Sequence, residues 1–240
     1  MKSILHKATT RGKAQHGWLQ SFHSFSFGEY YDSKRMNFGA LRVLNDDTVA
    51  AGMGFGTHPH RDMEIVSIPL EGVLEHKDSI GNTAVIRSGD IQVLSAGTGI
   101  SHSEYNKSNK TPVKFLQIWI LPNRKRIPPR YDQISLKVSD RHNQFQQILS
   151  PYPEDDGVWI NQKAWFHISN LDAGIELCYK LKSKKNSGVY IFILTGSVEI
   201  NEQELSNRDG FGVWDTEGFT VKANFDSELL LIEVPMDIGM

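Results

Sequence analysis

The sequence predicts an all-β protein built from two tandem β-barrels, with a metal site in the first barrel alone. Three observations predict it. Short apolar or alternating runs are separated throughout by Gly, Asn and Asp turn signals. The pattern of the first half returns in the second. Two pairs of candidate metal ligands stand at i, i+2 spacing, and both lie in the first half.

The elements follow in order. Phe22-His23-Ser24-Phe25-Ser26-Phe27 alternates aromatic and polar residues and predicts a strand. His23 lies on the face opposite Phe22, where it either supports a metal pocket or is a solvated or core histidine. Tyr30-Tyr31-Asp32 enters a loop. Phe38 to Val43 predicts a strand, Asn45-Asp46-Asp47 a turn, and Val49-Ala50-Ala51 the next extended segment. Glu64 to Leu70 predicts a strand closed at Glu71-Gly72. Val73 to Asp78, Thr83 to Arg87 and Ile91 to Leu94 follow, and the Ala96-Gly97-Thr98-Gly99 glycines can turn the chain sharply. Val113 to Leu121 is a longer strand. Pro122 to Pro129, with two terminal prolines and three basic residues, reads as a linker.

Beyond the linker, Gln144 to Ser150 and Trp165 to Ser169 predict strands. Tyr190 to Val198 then repeats the pattern of Val66 to Leu74, and Arg208-Asp209-Gly210 that of Ser88-Gly89-Asp90. An internal duplication follows, with units of about a hundred residues, an ordinary domain size. We expect an N-terminal unit over 1–135 and a C-terminal unit over 136–240.

The chemistry concentrates at His58-Pro59-His60 and, about forty residues later, His102-Ser103-Glu104. Side chains two apart on a strand share a face. If the two strands are neighbours, His58, His60, His102 and Glu104 converge. Three imidazoles and a carboxylate suit a divalent first-row metal and suit calcium or magnesium poorly. Four ligands in an octahedral shell leave two positions open, as catalysis requires. Pro59 holds His58 extended and removes a ladder donor, so this strand should lie at an edge or carry a bulge. Asp62 and Glu64 share parity with the histidines if the strand stays regular. Either could support a ligand; Glu64 could instead organise the strand, and Asp62 could equally be a solvated carboxylate near the rim. The second unit has no such pairs, and His167 reads as structural.

Composition excludes several classes. With 240 residues and a net charge of -2, the chain carries no field that would draw nucleic acid or a membrane surface. Lys182-Ser183-Lys184-Lys185 reads as an exposed turn. The single cysteine, Cys178, cannot form an internal disulfide and reads as a small buried residue. No run has signal-peptide or membrane-span length, so a cytoplasmic protein, monomeric by preference, is the expectation.

The spacing has a further meaning. Gly52, five residues, His58-Pro59-His60, three residues, Glu64 and then Gly72 resembles the first cupin motif, with the last interval one residue long. Gly89, Ala96-Gly97, His102, three residues and Asn106 resembles the second, with two extra residues before the histidine. With Ser95 to Asn106, Gly17-Trp18-Leu19, His23 to Phe27, Leu41 to Asp47 and Gln117 to Ile120, the chain resembles the pirins over essentially its whole length. Within them it resembles the bacterial quercetin 2,3-dioxygenase-like members.

The resemblance implies a bicupin, two jelly-roll-like barrels with a degenerate second one. It implies His58, His60, His102 and Glu104 as ligands of one divalent transition metal, iron first, with Cu, Ni, Mn, Co or Zn as alternatives. In many other cupins the first-motif glutamate, here Glu64, is the ligand instead. It also implies oxygenolytic opening of a flavonol heterocycle, with O₂ as co-substrate and release of carbon monoxide. Glu104 would take the proton of the flavonol 3-hydroxyl as general base. Phe25, Phe27, Phe55 and Met53 are candidates for an apolar wall or for plain core. Two rival readings stay open. One is a regulatory pirin that binds metal and a protein partner; the other is a cupin dioxygenase acting on another small aromatic substrate.

Overall fold

The computed structural model describes residues 1–238. In the first half it forms β1 (Lys2–His6), β2 (Gly12–Gln15), β3 (Leu19–His23), β4 (Leu41–Val49), β5 (Gly54–His60) and β6 (Glu64–Glu71). These lead into β7 (Val73–Asp78), β8 (Thr83–Arg87), β9 (Asp90–Ser95), β10 (Ile100–Asn106), β11 (Val113–Ile120) and β12 (Arg130–Ser135). The second half contributes β13 (Gln146–Ser150), β14 (Val158–Trp159), β15 (Trp165–Leu171), β16 (Glu176–Lys180) and β17 (Ser187–Thr195). It closes with β18 (Ser197–Ile200), β19 (Gln203–Ser206), β20 (Gly210–Trp214), β21 (Gly218–Ala223) and β22 (Ser227–Pro235). Among the described residues no helix is long and apolar enough to cross a membrane.

Each half pairs a seven-stranded sheet with a four-stranded one. The first half has the orders β12-β9-β6-β11-β4-β3-β2 and β5-β10-β7-β8. The second has β1-β20-β17-β22-β15-β13-β14 and β16-β21-β18-β19. Adding eleven to each strand number carries the core of the first pair onto the second, so the expected duplication is a duplication of topology. The first strand departs from this division: β1 pairs with β20, from Lys2 opposite Trp214 to His6 opposite Gly210. It covers the edge of the second large sheet as β12 covers that of the first, which removes an exposed pairing edge.

The two large sheets stack on each other. Their outer faces supply one extended apolar core, including Leu44, Val66 and Ile118 from the first and Phe166, Phe192 and Ile232 from the second. Strand β11 shows why. Phe115 and Leu116 are both fully buried, one facing the barrel and the other the inter-sheet core, so its sequence alternates between two interiors.

Three local expectations are corrected. Asn45-Asp46-Asp47 is no turn. These residues lie mid-strand in the nine-residue β4, paired with β3 on one side and β11 on the other. Their turn-forming chemistry is overridden by two neighbouring ladders. The alternating aromatic run also ends its strand at His23, and Ser24 onward turns away. Cys178 is exposed rather than buried. Its neighbours Leu177 and Tyr179 lie in or against the barrel core, and alternate side chains on a strand point oppositely.

Candidate metal centre

Strand β5 lies at the edge of its sheet and pairs only with β10, where Pro59 leaves no ladder bond unmade. His102 stands opposite His58, and Ile100 opposite His60. The register then slips, so that Glu104 faces Phe55. The extra residue on β5 is a bulge at Gly56-Thr57, and it orients a candidate ligand. The His58 Nδ1–H donates to the Gly56 carbonyl at 2.8 Å, which leaves Nε2 free. Gly54 has a steric reason to be glycine, because a Cβ there would run into the Glu104 carbonyl.

Three imidazoles meet at one place. Ring centroids lie 4.8 Å apart for His58 and His60, 4.5 Å for His58 and His102, and 4.9 Å for His60 and His102. One nitrogen from each falls within 4.8 Å of the others. Behind His102 stands a residue the sequence reading passed over. The His76 Nε2 lies 3.0 Å from the Asp78 carboxylate, and its Nδ1 lies 3.4 Å from His102 Nδ1. One set of tautomers serves both contacts: His76 donates from Nε2 to Asp78, and His102 donates from Nδ1 to His76. His102 Nε2 then carries a lone pair, and this buried atom has no partner among the described residues. A carboxylate–histidine relay of this kind fixes a metal-binding imidazole. Burial pushes the His102 imidazole down to about 2, with the His58, His60 and His76 rings adding to the effect. Burial, then His58, pushes His60 down to about 4. Both are neutral at physiological pH, the form that binds metal.

Glu104 is buried, and it is grouped with His76 and His102. The Gln117 amide donates to its Oε2 at 2.6 Å. Ser67 Oγ lies 3.0 Å from both Glu104 Oε1 and Gln117 Oε1. A hydroxyl has one proton, so it cannot donate to both. With Glu104 ionised, Ser67 donates to its Oε1; once Oε1 gains a proton it can donate to Ser67, which then turns its own proton to the Gln117 carbonyl oxygen. Burial raises the Glu104 carboxyl, which makes the ionised group a better proton acceptor.

A cavity of about 370 Å³ opens onto this cluster, within the range of small-molecule sites. His58, His60, Glu104 and Gln117 form one side, and Leu19, Phe27, Tyr30, Phe55 and Trp119 give apolar surface. Phe27 and Phe55 therefore stand where an apolar wall was expected. Phe25 does not; it packs in the inter-sheet core. Met53 is exposed. Glu64 supports no histidine. It accepts from Ser95 Oγ at 2.7 Å and faces Asn161 of the second half. Asp62 leaves the strand altogether, with a φ of 48° in the turn between β5 and β6, and accepts the Arg126 backbone N–H. That turn ends the parity which would have aimed both carboxylates inward.

The residues fit a divalent metal. The orphaned His102 Nε2, the freed His58 Nε2 and an adjacent buried carboxylate are a borderline nitrogen and oxygen donor set. The Pirin family model matches residues 5–120, and that of the quercetinase C-terminal cupin domain matches 147–234. The chain belongs to the pirin family. This pirin is 43% identical to quercetin 2,3-dioxygenase of Escherichia coli K12 over 231 residues, 96% of this chain and 98% of that protein. It is 41% identical to a pirin-like protein of Caulobacter vibrioides, covering 92% and 95% of the two. It superposes on the crystal structure of the E. coli bacterial pirin YhhW in complex with nickel(II) with a TM-score of 0.92. The two are 42% identical, and the match covers 98% of this pirin and all of that chain.

Proposed function

We propose that this pirin is a metal-dependent dioxygenase that opens the heterocycle of a flavonol such as quercetin with O₂ and releases carbon monoxide. The observation that carries the reading is the histidine cluster and its neighbouring carboxylate at the side of a cavity with aromatic walls. The curated relative named quercetin 2,3-dioxygenase supports the substrate class, and the nickel-bound relative supports a divalent ion.

His58, His60, His102 and Glu104 are the proposed ligands. A divalent ion there, iron or nickel being the first to test, would supply Lewis-acid stabilisation of the flavonol 3-oxyanion. Phe27, Phe55 and Trp119 clamp a flat ring system and keep water out. Glu104 takes the proton of the 3-hydroxyl. Its Oε1 is suited to hold it, since Ser67 can then turn its own proton to the Gln117 carbonyl oxygen.

The test is anaerobic incubation of metal-analysed protein with quercetin, followed by admission of air. Loss of flavonol absorbance with metal-dependent carbon monoxide in the headspace is the expected result. Binding without turnover across iron, manganese, nickel, cobalt and copper loadings would overturn it. Glu104→Gln should keep much of the metal and lose about a hundredfold or more of the rate. Full activity in that variant would remove Glu104 from the chemistry.

A further inference from the structure

The inner face of the first large sheet carries a row of polar side chains that a barrel interior does not need. His23 stands opposite Asn45, Asn45 opposite Gln117, Gln117 opposite Ser67, and Ser67 opposite Gln92. The row crosses five adjacent strands. Asp47, two residues along β4 from Asn45, shares its face and faces Ser21. Gln117 and Ser67 are accounted for by Glu104. The far end of the row is not. His23 Nδ1, Asn45 Oδ1 and Asp47 Oδ1 are buried atoms without a hydrogen-bond partner among the described residues. All three residues line the same cavity as His58 and His60. An unpaired buried polar group is costly, so three together on one cavity wall need a reason.

We propose that His23, Asn45 and Asp47 form a hydroxyl-recognition wall that binds the ring of the substrate remote from the metal, and so select polyhydroxylated aromatics. The inference rests on the flavonol reading and names what that site selects.

The position fits. Gln117 touches Glu104, and His23 lies two strands further across the sheet, about 10 Å at the usual strand spacing. A second path gives the same order of reach. The His60 ring contacts Trp119 at 5.0 Å, Trp119 contacts Phe27 at 5.3 Å, and Phe27 contacts His23 at 5.3 Å. A ligand of two or three linked rings, with its reacting end at the histidines, reaches the wall with the other.

The chemistry also fits. Asn45 Oδ1 is an acceptor, and so is Asp47 Oδ1 unless it carries the carboxyl proton. Asn45 Oδ1 accepts whatever the state of Asp47, and such an acceptor selects a ligand group that donates. A free phenol hydroxyl does so; a methoxy group does not. The neighbouring His23 ring nitrogen donates or accepts according to tautomer, and so can complete the pairing of a second hydroxyl.

The experiment uses zinc- or nickel-loaded protein under argon, with flavonols identical except on the pendant ring. That ring carries two hydroxyls, none, or one hydroxyl replaced by methoxy. Binding is read by quenching of tryptophan fluorescence, to which Trp119 contributes from the cavity wall. The dihydroxylated flavonol should bind about tenfold tighter than the unsubstituted one, about what one or two recovered hydrogen bonds give. The methoxy analogue should lose most of that gain. Asn45→Leu should bring the ratio close to one. It should also raise the melting midpoint of the ligand-free protein by about 3 °C, because it removes an unpaired acceptor. A residue kept for stability would lower it. Gln92→Leu is the control: Gln92 lies in the same row, has both amide atoms unpaired and does not line the cavity. It should raise the midpoint while leaving the ligand ratio intact. Equal affinity for hydroxylated and unsubstituted flavonols would overturn the recognition wall alone. Failure of every flavonol to bind would overturn the flavonol reading and this inference with it.

Discussion

The two barrels share a strand order and differ in what fills them. The second is packed with apolar side chains: Val189, Ile191, Ile193, Phe211, Val221, Leu229 and Leu231 all sit in one buried cluster. Where the first barrel pairs His58 with His102, the corresponding β16 and β21 pair Leu177 with Val221 and Tyr179 with Phe219. The first barrel instead has two small apolar clusters. One is built on Leu19, Leu74 and Phe115, and the other on Ile65, Leu94 and Ile100. Its middle holds histidines, carboxylates and amides. The fold does not need the polar layer. A barrel of the same topology closes without one, so the layer's desolvation cost is carried for chemistry.

Removing a histidine from each barrel should have the most divergent effects. His58→Ala should weaken metal affinity by more than a hundredfold, whereas His167→Ala should leave metal content unchanged. Metal analysis after equal exposure to chelator distinguishes them. Loss of metal from the His167 variant would place a ligand in the wrong barrel. The second largest effect runs the other way. Ile191→Ala in the apolar barrel should cost about 4 kcal/mol by cavity formation, with metal content retained. Denaturant unfolding measures it. A cost below about 1 kcal/mol would mean the second barrel is not a well-packed scaffold.

Much of this was legible in the sequence, because periodicity and i, i+2 spacing are local signals. The strands, the duplication and the convergence of His58, His60 and His102 follow from them. What was not legible depended on who stands opposite whom. Asn45 and Asp47 read as a turn because Asn and Asp are turn residues, and only the flanking β3 and β11 reveal a strand interior. His76 gave no signal of its own. It gains its role from Asp78 on one side and His102 on the other, through cross-strand register. The spacing His76-Lys77-Asp78, itself an i, i+2 pair on a strand, was the clue available. The parity that would have aimed Asp62 and Glu64 at a histidine failed for the converse reason: one left-handed residue in a turn cancels it, and Glu64 organises its strand instead.

The cost of the polar layer should appear in the pH dependence of stability. Burial pushes the Asp47 carboxyl up to about 7, opposed by the Ser21 hydroxyl and reinforced by Asp46 and Glu104. Its folded value lies above its unfolded one, near 3.8. The folded protein therefore keeps a proton that the unfolded chain has released. The contribution is complete below about pH 4 and is lost as the pH rises through about 7. Between pH 5 and pH 8 the metal-free protein should lose about 2 to 3 kcal/mol through this group. Asp47→Asn should remove that slope while leaving the second barrel untouched. Unfolding at both pH values checks it, and an identical slope in the variant would mean that Asp47 is ionised throughout.

The smallest effect tests the finest distinction between the barrels, the support behind a ligand. In the first barrel His102 is backed by His76, and His76 by Asp78, which also accepts the Ile80 and Asn82 backbone N–H groups. In the second barrel His167 is backed by Tyr179, which donates to Glu233. The two arrangements look alike, and their directions differ. The first leaves His102 Nε2 without a partner on the side of His58 and His60, whereas the second ends in a closed network with the Lys182 and Ser183 N–H groups on Glu233. Asp78→Asn keeps the size of the carboxylate and removes its charge, so His76 loses its grip on one tautomer. Metal affinity should fall about tenfold, the low end for residues that orient a ligand from behind. Glu233→Gln should destabilise the second barrel with no change in metal affinity. If both variants altered metal binding equally, the relay behind His102 would be structural, and its resemblance to the network around His167 would be the better guide.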